Sequence, residues 1–165
     1  MCLVTGASTG IGGHLSRLLL SRGAVVVGIG LSEIDWDCSH TQDRFGYISG
    51  DLRDDMMVDK IFEHFREKFG RIDLIVNNAG ISQIERASDF TSDTLKDIFA
   101  VNVISVGMVA SKGAKLMRDT GTGGSIINVT SVMADSAMMG LSAYSSSKAA
   151  LDQMTRASGQ RVGAF

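Results

Sequence analysis

Short, almost wholly apolar runs alternate with longer amphipathic stretches along this chain, and that alternation limits its fold more than any other feature. The runs are MCLV, AVVVGIG, FGYISG, IDLIVN and SIINVTS. Between them lie IGGHLSRLLLSRG, DDMMVDKIFEHFREKFG and a long helical region from about 91 to 118. The predicted order is β-α-β-β-α-β-α-β. Strands that are continuously apolar, rather than alternating, are those buried on both faces of a parallel sheet. The fold expected is α/β, a doubly wound parallel sheet with helices on either side. In the 53 to 69 segment, Met57, Ile61, Phe65 and Phe69 recur every four residues, a stripe suited to covering such a sheet. With 165 residues, 44% apolar and 21% charged, one domain spanning 1–165 is expected, with neither repeats nor a linker.

Charge and composition exclude several functions. A net charge of -2 and a pI near 5.9 provide no basic field for nucleic acid or an anionic membrane surface. The longest apolar run, AVVVGIGL at 24–31, falls well short of the roughly 20 residues a spanning helix needs, and MCLVTGASTG lacks a signal-peptide layout. A cytoplasmic protein is expected. Cys2 and Cys38 form no CxxC and suggest reduced thiols. Cys38 and His40 have no matching second pair, so no metal is expected. Asn128 in NVT matches a glycosylation acceptor but sits in an apolar strand, where the match is accidental.

TGASTGIG at 5–12 falls between the first strand and the first helix, which places Gly6, Gly10 and Gly12 in the turn that feeds a helix N-terminus. Glycines there let backbone N–H groups approach a phosphate, and the helix dipole favours the negative charge. The alternative is a glycine-rich turn with no ligand. Near the other end, YSSSK at 144–148 puts Tyr144 and Lys148 at i and i+4, on one face of a helix. Alone, the pair reads equally as a solvated helix face.

Four motifs in order make the chain recognisable: TGASTGIG, NNAG at 77–80, Ser131 closing SIINVTS, and YSSSK beginning thirteen residues after that serine. From residue 1 to about 157 the chain resembles the short-chain dehydrogenase/reductase family. The resemblance implies a Rossmann-type three-layer α/β/α fold, a nicotinamide cofactor, and hydride transfer between NAD(P)(H) and a secondary alcohol or carbonyl of small-molecule size. It assigns Gly6, Ser8, Thr9, Gly10, Ile11 and Gly12 to the cofactor, with Leu31 after the second strand. Asp51 and Leu52 would border the adenine, and Asn78, Ala79 and Gly80 would lie near the ribose. The bland alternative for NNAG is a strand-end turn in which Asn and Gly take left-handed conformations. The catalytic set would be Asn102, Ser131, Tyr144 and Lys148, with Tyr144 and Lys148 also touching the cofactor.

The chemistry of that set is physically sound. Reducing a ketone needs a positioned acid, and a free tyrosine titrates near 10. A lysine charge about 5 Å away, at an effective dielectric of about 20, is worth roughly 3 kcal/mol and would lower the phenol by about 2 units. Ser145, Ser146 and Ser147 are small enough to leave room for the cofactor. Ser131 would hold the substrate oxygen, with Thr130 as its neighbour and competitor. Asn102 is a polar residue in the apolar run AVNVISV, where an unpartnered buried amide costs roughly 1 to 3 kcal/mol, so it must bond something. The family role is to bend the helix and hold a water that relays protons to the lysine; a satisfied core Asn is the alternative.

Two departures stand out. Gly30 occupies the position where users of NAD carry an acid for the ribose hydroxyls. The cofactor is therefore NADP or NAD, with a lean to NADP that Glu33 and Asp35 weaken. Complete family members continue well beyond ASGQRVGAF, whose QRVGAF resembles the next family strand, and the substrate-loop region is expected to be missing. The competing function is a truncated, non-catalytic nucleotide-binding or dimer-partner relative. Self-association is expected through Val106, Val109, Ala110 and Gly113 at helical spacing, the alternative being that this stripe packs only on the chain's own sheet.

Overall fold

The computed structural model describes residues 1–41 and 43–159. The QRVGAF likeness to a further strand lies outside them. The chain divides into two compact units, Met1–Ala79 with Met108–Val129, and Gly80–Gly107 with the segment from Thr130 onward.

The first unit holds the sheet. Its strands are β1 (Cys2–Thr5), β2 (Val26–Gly30), β3 (Phe45–Ser49), β4 (Leu74–Asn77) and β5 (Ser125–Asn128), in the order β3-β2-β1-β4-β5 and all parallel. β1 lies centrally, so the chain reverses its direction of travel between β1 and β4, as a doubly wound sheet requires. Leu3, Val4, Val26, Val27, Ile29 and Ile75 are buried, which is why these strands read as unbroken apolar runs. Helix α1 (Gly10–Ser21) follows β1, and α2 (Asp55–Lys68) follows β3. The Asp54 carboxylate caps α2 by accepting from Met56 N at 2.9 Å.

The stripe of α2 differs from the one expected. Val58, Ile61, Phe62 and Phe65 are the buried residues, while Met57 and Phe69 only flank them. A strict spacing of four drifts around a helix of 3.6 residues per turn, so the face that packs follows i, i+3, i+4, i+7.

The long helical region is three pieces: α3 (Ser92–Phe99), a π-helical turn (Ala100–Ser105) and α4 (Val106–Asp119). Of the residues expected to carry self-association, Ala110 is partly exposed and the other three are buried. Val106 and Val109 are buried, and a Cβ on Gly113 would come within 2.0 Å of the Ile75 side chain, so Gly113 is where α4 lies down on the sheet. Among the described residues, Ser92–Asp119 is the one helical stretch long and apolar enough to cross a membrane by length and composition. Its Val109, Leu116 and Met117 belong to the core beside β1 and β4. Both cysteines are free. The Asn128 carboxamide of the NVT triplet is engaged inside the sheet, accepting from Asn77 Nδ2 at 2.9 Å.

The second unit is helical: α3, the π turn, a short turn over Val132–Ala134 that packs against α5, and α5 itself (Ser142–Gly159), which carries YSSSK.

Candidate functional site

In the first unit the glycine turn is shaped by its own neighbours. Gly6 has φ +67° and Gly10 φ +54°, the left-handed region that glycine adopts without strain. Gly12 is required by closeness: a Cβ there would lie 2.2 Å from the Gly6 carbonyl oxygen and 2.6 Å from Asn78 Nδ2. That amide nitrogen is held in place because Asn78 Nδ2 donates to the carbonyl of Thr5 at 3.0 Å. Thr5 Oγ1 in turn accepts from the backbone N–H groups of Asn78 and Ala79, each at 2.9 Å. NNAG is thus latched to the end of β1. Neither Asn78 nor Gly80 has a positive φ, so the left-handed turn that could have explained this motif does not form.

The turn fits a phosphate. Thr9, the N-cap of α1, makes no side-chain cap hydrogen bond, and the first helical turn contains no acid. The opening N–H groups of α1 are therefore left for an outside acceptor at the positive end of the helix dipole. Thr9, Gly10 and Ile11 are exposed, as is Leu31, whereas Ser8 is buried. Asp51 and Leu52 are both partly exposed. The Asp51 carboxylate takes Arg53 Nε and Nη2 at 2.9 and 2.7 Å, and those bonds hold its pKa below the ordinary carboxylate range. Leu52 packs on the core.

In the second unit Asn102, Tyr144 and Lys148 are linked through α5, and Ser131 heads the turn that packs against that helix. Tyr144 and Lys148 lie one turn apart, with Lys148 Nζ 5.8 Å from the centre of the Tyr144 ring, within reach of a cation–π contact. Lys148 is only 4% exposed, and burial pulls its ammonium below the ordinary lysine range. Asn102 sits fully buried in the π turn and does find partners. Its Oδ1 accepts from Ile81 N and its Nδ2 donates to the Ile81 carbonyl, both at 2.9 Å, as a neighbouring strand would. Nδ2 also donates to Ser147 Oγ at 2.9 Å, and Ser147 donates to the Tyr144 carbonyl at 2.7 Å. Ser131 Oγ accepts from Met133 N at 3.2 Å, heading the Val132–Ala134 turn. Its own hydrogen goes to no described residue.

Sequence reasoning missed Ser147 as a structural link and Thr5 as the latch. Ser147 was read only as small, although its place three residues after Tyr144 is where a helical hydroxyl can bond back to the chain.

Comparison with known proteins follows the same lines. The family model described as short chain dehydrogenase matches residues 1–164. The chain is 31% identical to L-2,3-butanediol dehydrogenase of Corynebacterium glutamicum over 98% of its own length and 66% of that protein. A short-chain dehydrogenase from Streptomyces avermitilis superposes with a TM-score of 0.89 at 32% identity, over 94% of this chain and 59% of that one. A gluconate 5-dehydrogenase from Burkholderia cenocepacia, solved with NADP and tartrate, gives 0.85 at 28% identity, over 94% and 63%. The chain thus spans about two thirds of the length of its curated relatives. A parallel sheet ordered β3-β2-β1-β4-β5, with NNAG latched beside a glycine turn, and a family match over nearly every residue have one common reading: the chain belongs to the short chain dehydrogenase family.

Proposed function

We propose that the chain is an oxidoreductase that transfers a hydride between NAD(P)(H) and a secondary alcohol or carbonyl of small-molecule size, with Tyr144 as general acid and base. The observation that carries this most directly is the buried Lys148 ammonium one helical turn from Tyr144. Burial works against the lysine's charged form, and an ammonium kept in such a place beside a phenol is the arrangement expected of a residue kept for chemistry. The bound nicotinamide would supply or accept the hydride. Gly6, Ser8, Thr9, Gly10, Ile11 and Gly12 would hold the dinucleotide by its phosphates, Leu31, Asp51 and Leu52 would border the adenosine, and Asn78, Ala79 and Gly80 would adjoin the ribose.

Ser131 has a hydroxyl hydrogen to give and would orient the substrate oxygen. Tyr144 would pass its phenolic proton to that oxygen on reduction and take it back on oxidation. Lys148 would favour the phenolate and bond the cofactor ribose. Asn102 fixes the position of α5 through Ser147 and would hold the water that returns protons to Lys148. We further propose that residues 1–165 act as one cytoplasmic domain that self-associates, with light scattering at micromolar concentration as the test.

The decisive experiment is Tyr144→Phe. Loss of one hydroxyl with the ring retained is expected to lower turnover by roughly 10² to 10⁴-fold on any ketone the parent reduces, with cofactor affinity nearly unchanged. Turnover near the parent value would remove Tyr144 from the chemistry. A parent that binds NAD(P)H but turns over no ketone or secondary alcohol would favour the non-catalytic alternative.

A further inference from the structure

The end of β2 holds an arrangement that the family resemblance does not supply. Gly28 and Gly30 point to the same face of β2, since alternate residues of a strand do. In the parallel register Gly28 lies opposite Tyr47 of β3. With no side chain on either glycine, the Tyr47 ring lies along β2. A Cβ on Gly28 would come 3.3 Å from Tyr47 Cδ2, and one on Gly30 would come 2.6 Å from Tyr47 Oη and 3.0 Å from Ser8 Oγ. The phenol is fixed where it lies, because Tyr47 Oη donates to the Ser32 carbonyl at 2.6 Å. Ser32 Oγ then donates to Ser8 Oγ at 3.0 Å. Ser8 is 6% exposed, and its own hydrogen goes to no described residue. The segment after β2 is pinned to the glycine turn at two further points, Asp35 N to the Ser8 carbonyl at 3.1 Å and Trp36 Nε1 to the Ala7 carbonyl at 3.0 Å.

Position 30 is where a dinucleotide-binding fold that selects NAD places a carboxylate to bond the ribose 2′-hydroxyl, an acid that also repels a 2′-phosphate. Here a Cβ would meet the Tyr47 hydroxyl at 2.6 Å, so a side chain at position 30 requires the phenol to leave its bond to Ser32. Resting on the nucleotide-binding reading above, we propose that Tyr47, acting through Ser32 and Ser8, is the specificity-determining residue for the adenosine ribose. It bars a carboxylate from position 30 and leaves one hydroxyl hydrogen, that of Ser8, beside that position, so a nucleotide with a 2′-phosphate binds at least as tightly as one with a free 2′-hydroxyl. Glu33 and Asp35 follow at exposed positions, where solvent and salt screen their charge.

The test is fluorescence titration of NADPH and NADH against the 165-residue chain as parent, as Tyr47→Phe, and as Tyr47→Phe/Gly30→Asp. The parent is expected to bind NADPH as tightly as NADH or more tightly, and the double variant to swing the ratio toward NADH by about tenfold or more. A parent that prefers NADH by more than about tenfold, or a double variant whose ratio does not move, overturns the assignment to Tyr47 while leaving nucleotide binding intact. Failure of both nucleotides to bind the parent at about 1 mM overturns both proposals together. Thermal melts provide a check independent of ligand: Gly30→Ala is expected to destabilise the parent much more than it destabilises Tyr47→Phe. Equal losses in the two backgrounds would mean that the hydroxyl does not fill position 30.

Discussion

Removing the Asn102 carboxamide tests whether the π turn is held by polar pairing or by volume. In Asn102→Ala three hydrogen bonds disappear, two to the Ile81 backbone and one to Ser147 Oγ. At about 1 kcal/mol net for each, the loss is roughly 3 kcal/mol. For a chain of this length that corresponds to a fall in Tm of roughly 6 to 12 °C. Asn102→Leu keeps the branched shape with more bulk but none of the pairing, and leaves the Ile81 N–H and carbonyl without their partners. It is therefore expected to melt as low as the alanine variant. Circular dichroism gives the melts, and hydrogen exchange at the Ile81 amide reports the lost acceptor directly. If Asn102→Leu melts within about 2 °C of the parent, or if Ile81 exchanges at the parent rate in Asn102→Ala, polar pairing does not hold this turn.

Lys148→Met should raise Tm at neutral pH, because burial lowers the lysine's folded pKa and the charged form therefore favours unfolding. The penalty is complete below the folded pKa and fades as pH rises from there toward the ordinary lysine value of about 10.4. Melts of parent and variant should thus converge over that window, and a gap independent of pH would contradict the burial argument. In α2, Phe65→Ala should cost about 3 to 5 kcal/mol by denaturant titration because Phe65 is fully buried. Phe69→Ala should cost distinctly less, and equal losses would reinstate the spacing-of-four stripe.

The strands and helices were legible because burial on both sheet faces leaves a mark on every residue of a strand, and one-sided packing a mark on every turn of a helix. What escaped was the choice of partner. Val106, Val109 and Gly113 form an apolar stripe on any reading, but the stripe does not say whether it meets this chain's own sheet or a second copy; Ile75 beneath Gly113 answers that. Asn102 was conspicuous as an amide among valines, and its need for partners followed from desolvation alone. Its partners, the Ile81 backbone and Ser147, were hidden because backbone groups have no sequence signature and a serine fits many settings. Tyr47 escaped for a further reason: its contact with position 30 depends on the pairing of β2 with β3, and register is a property of two segments together.

The π turn at Ala100–Ser105 also bears on how this stretch can change over generations. Such a turn holds one residue more than an α-helical turn, so side chains before and after it are out of phase by about 100°. Loss of any one residue between 100 and 105 would heal the turn into an α-helical one, and Asn102 could then no longer meet both Ile81 and Ser147 as it does now. Substitutions here are judged one side chain at a time, whereas a deletion is judged by every contact downstream. In this segment the count of residues matters to the structure as much as their identities.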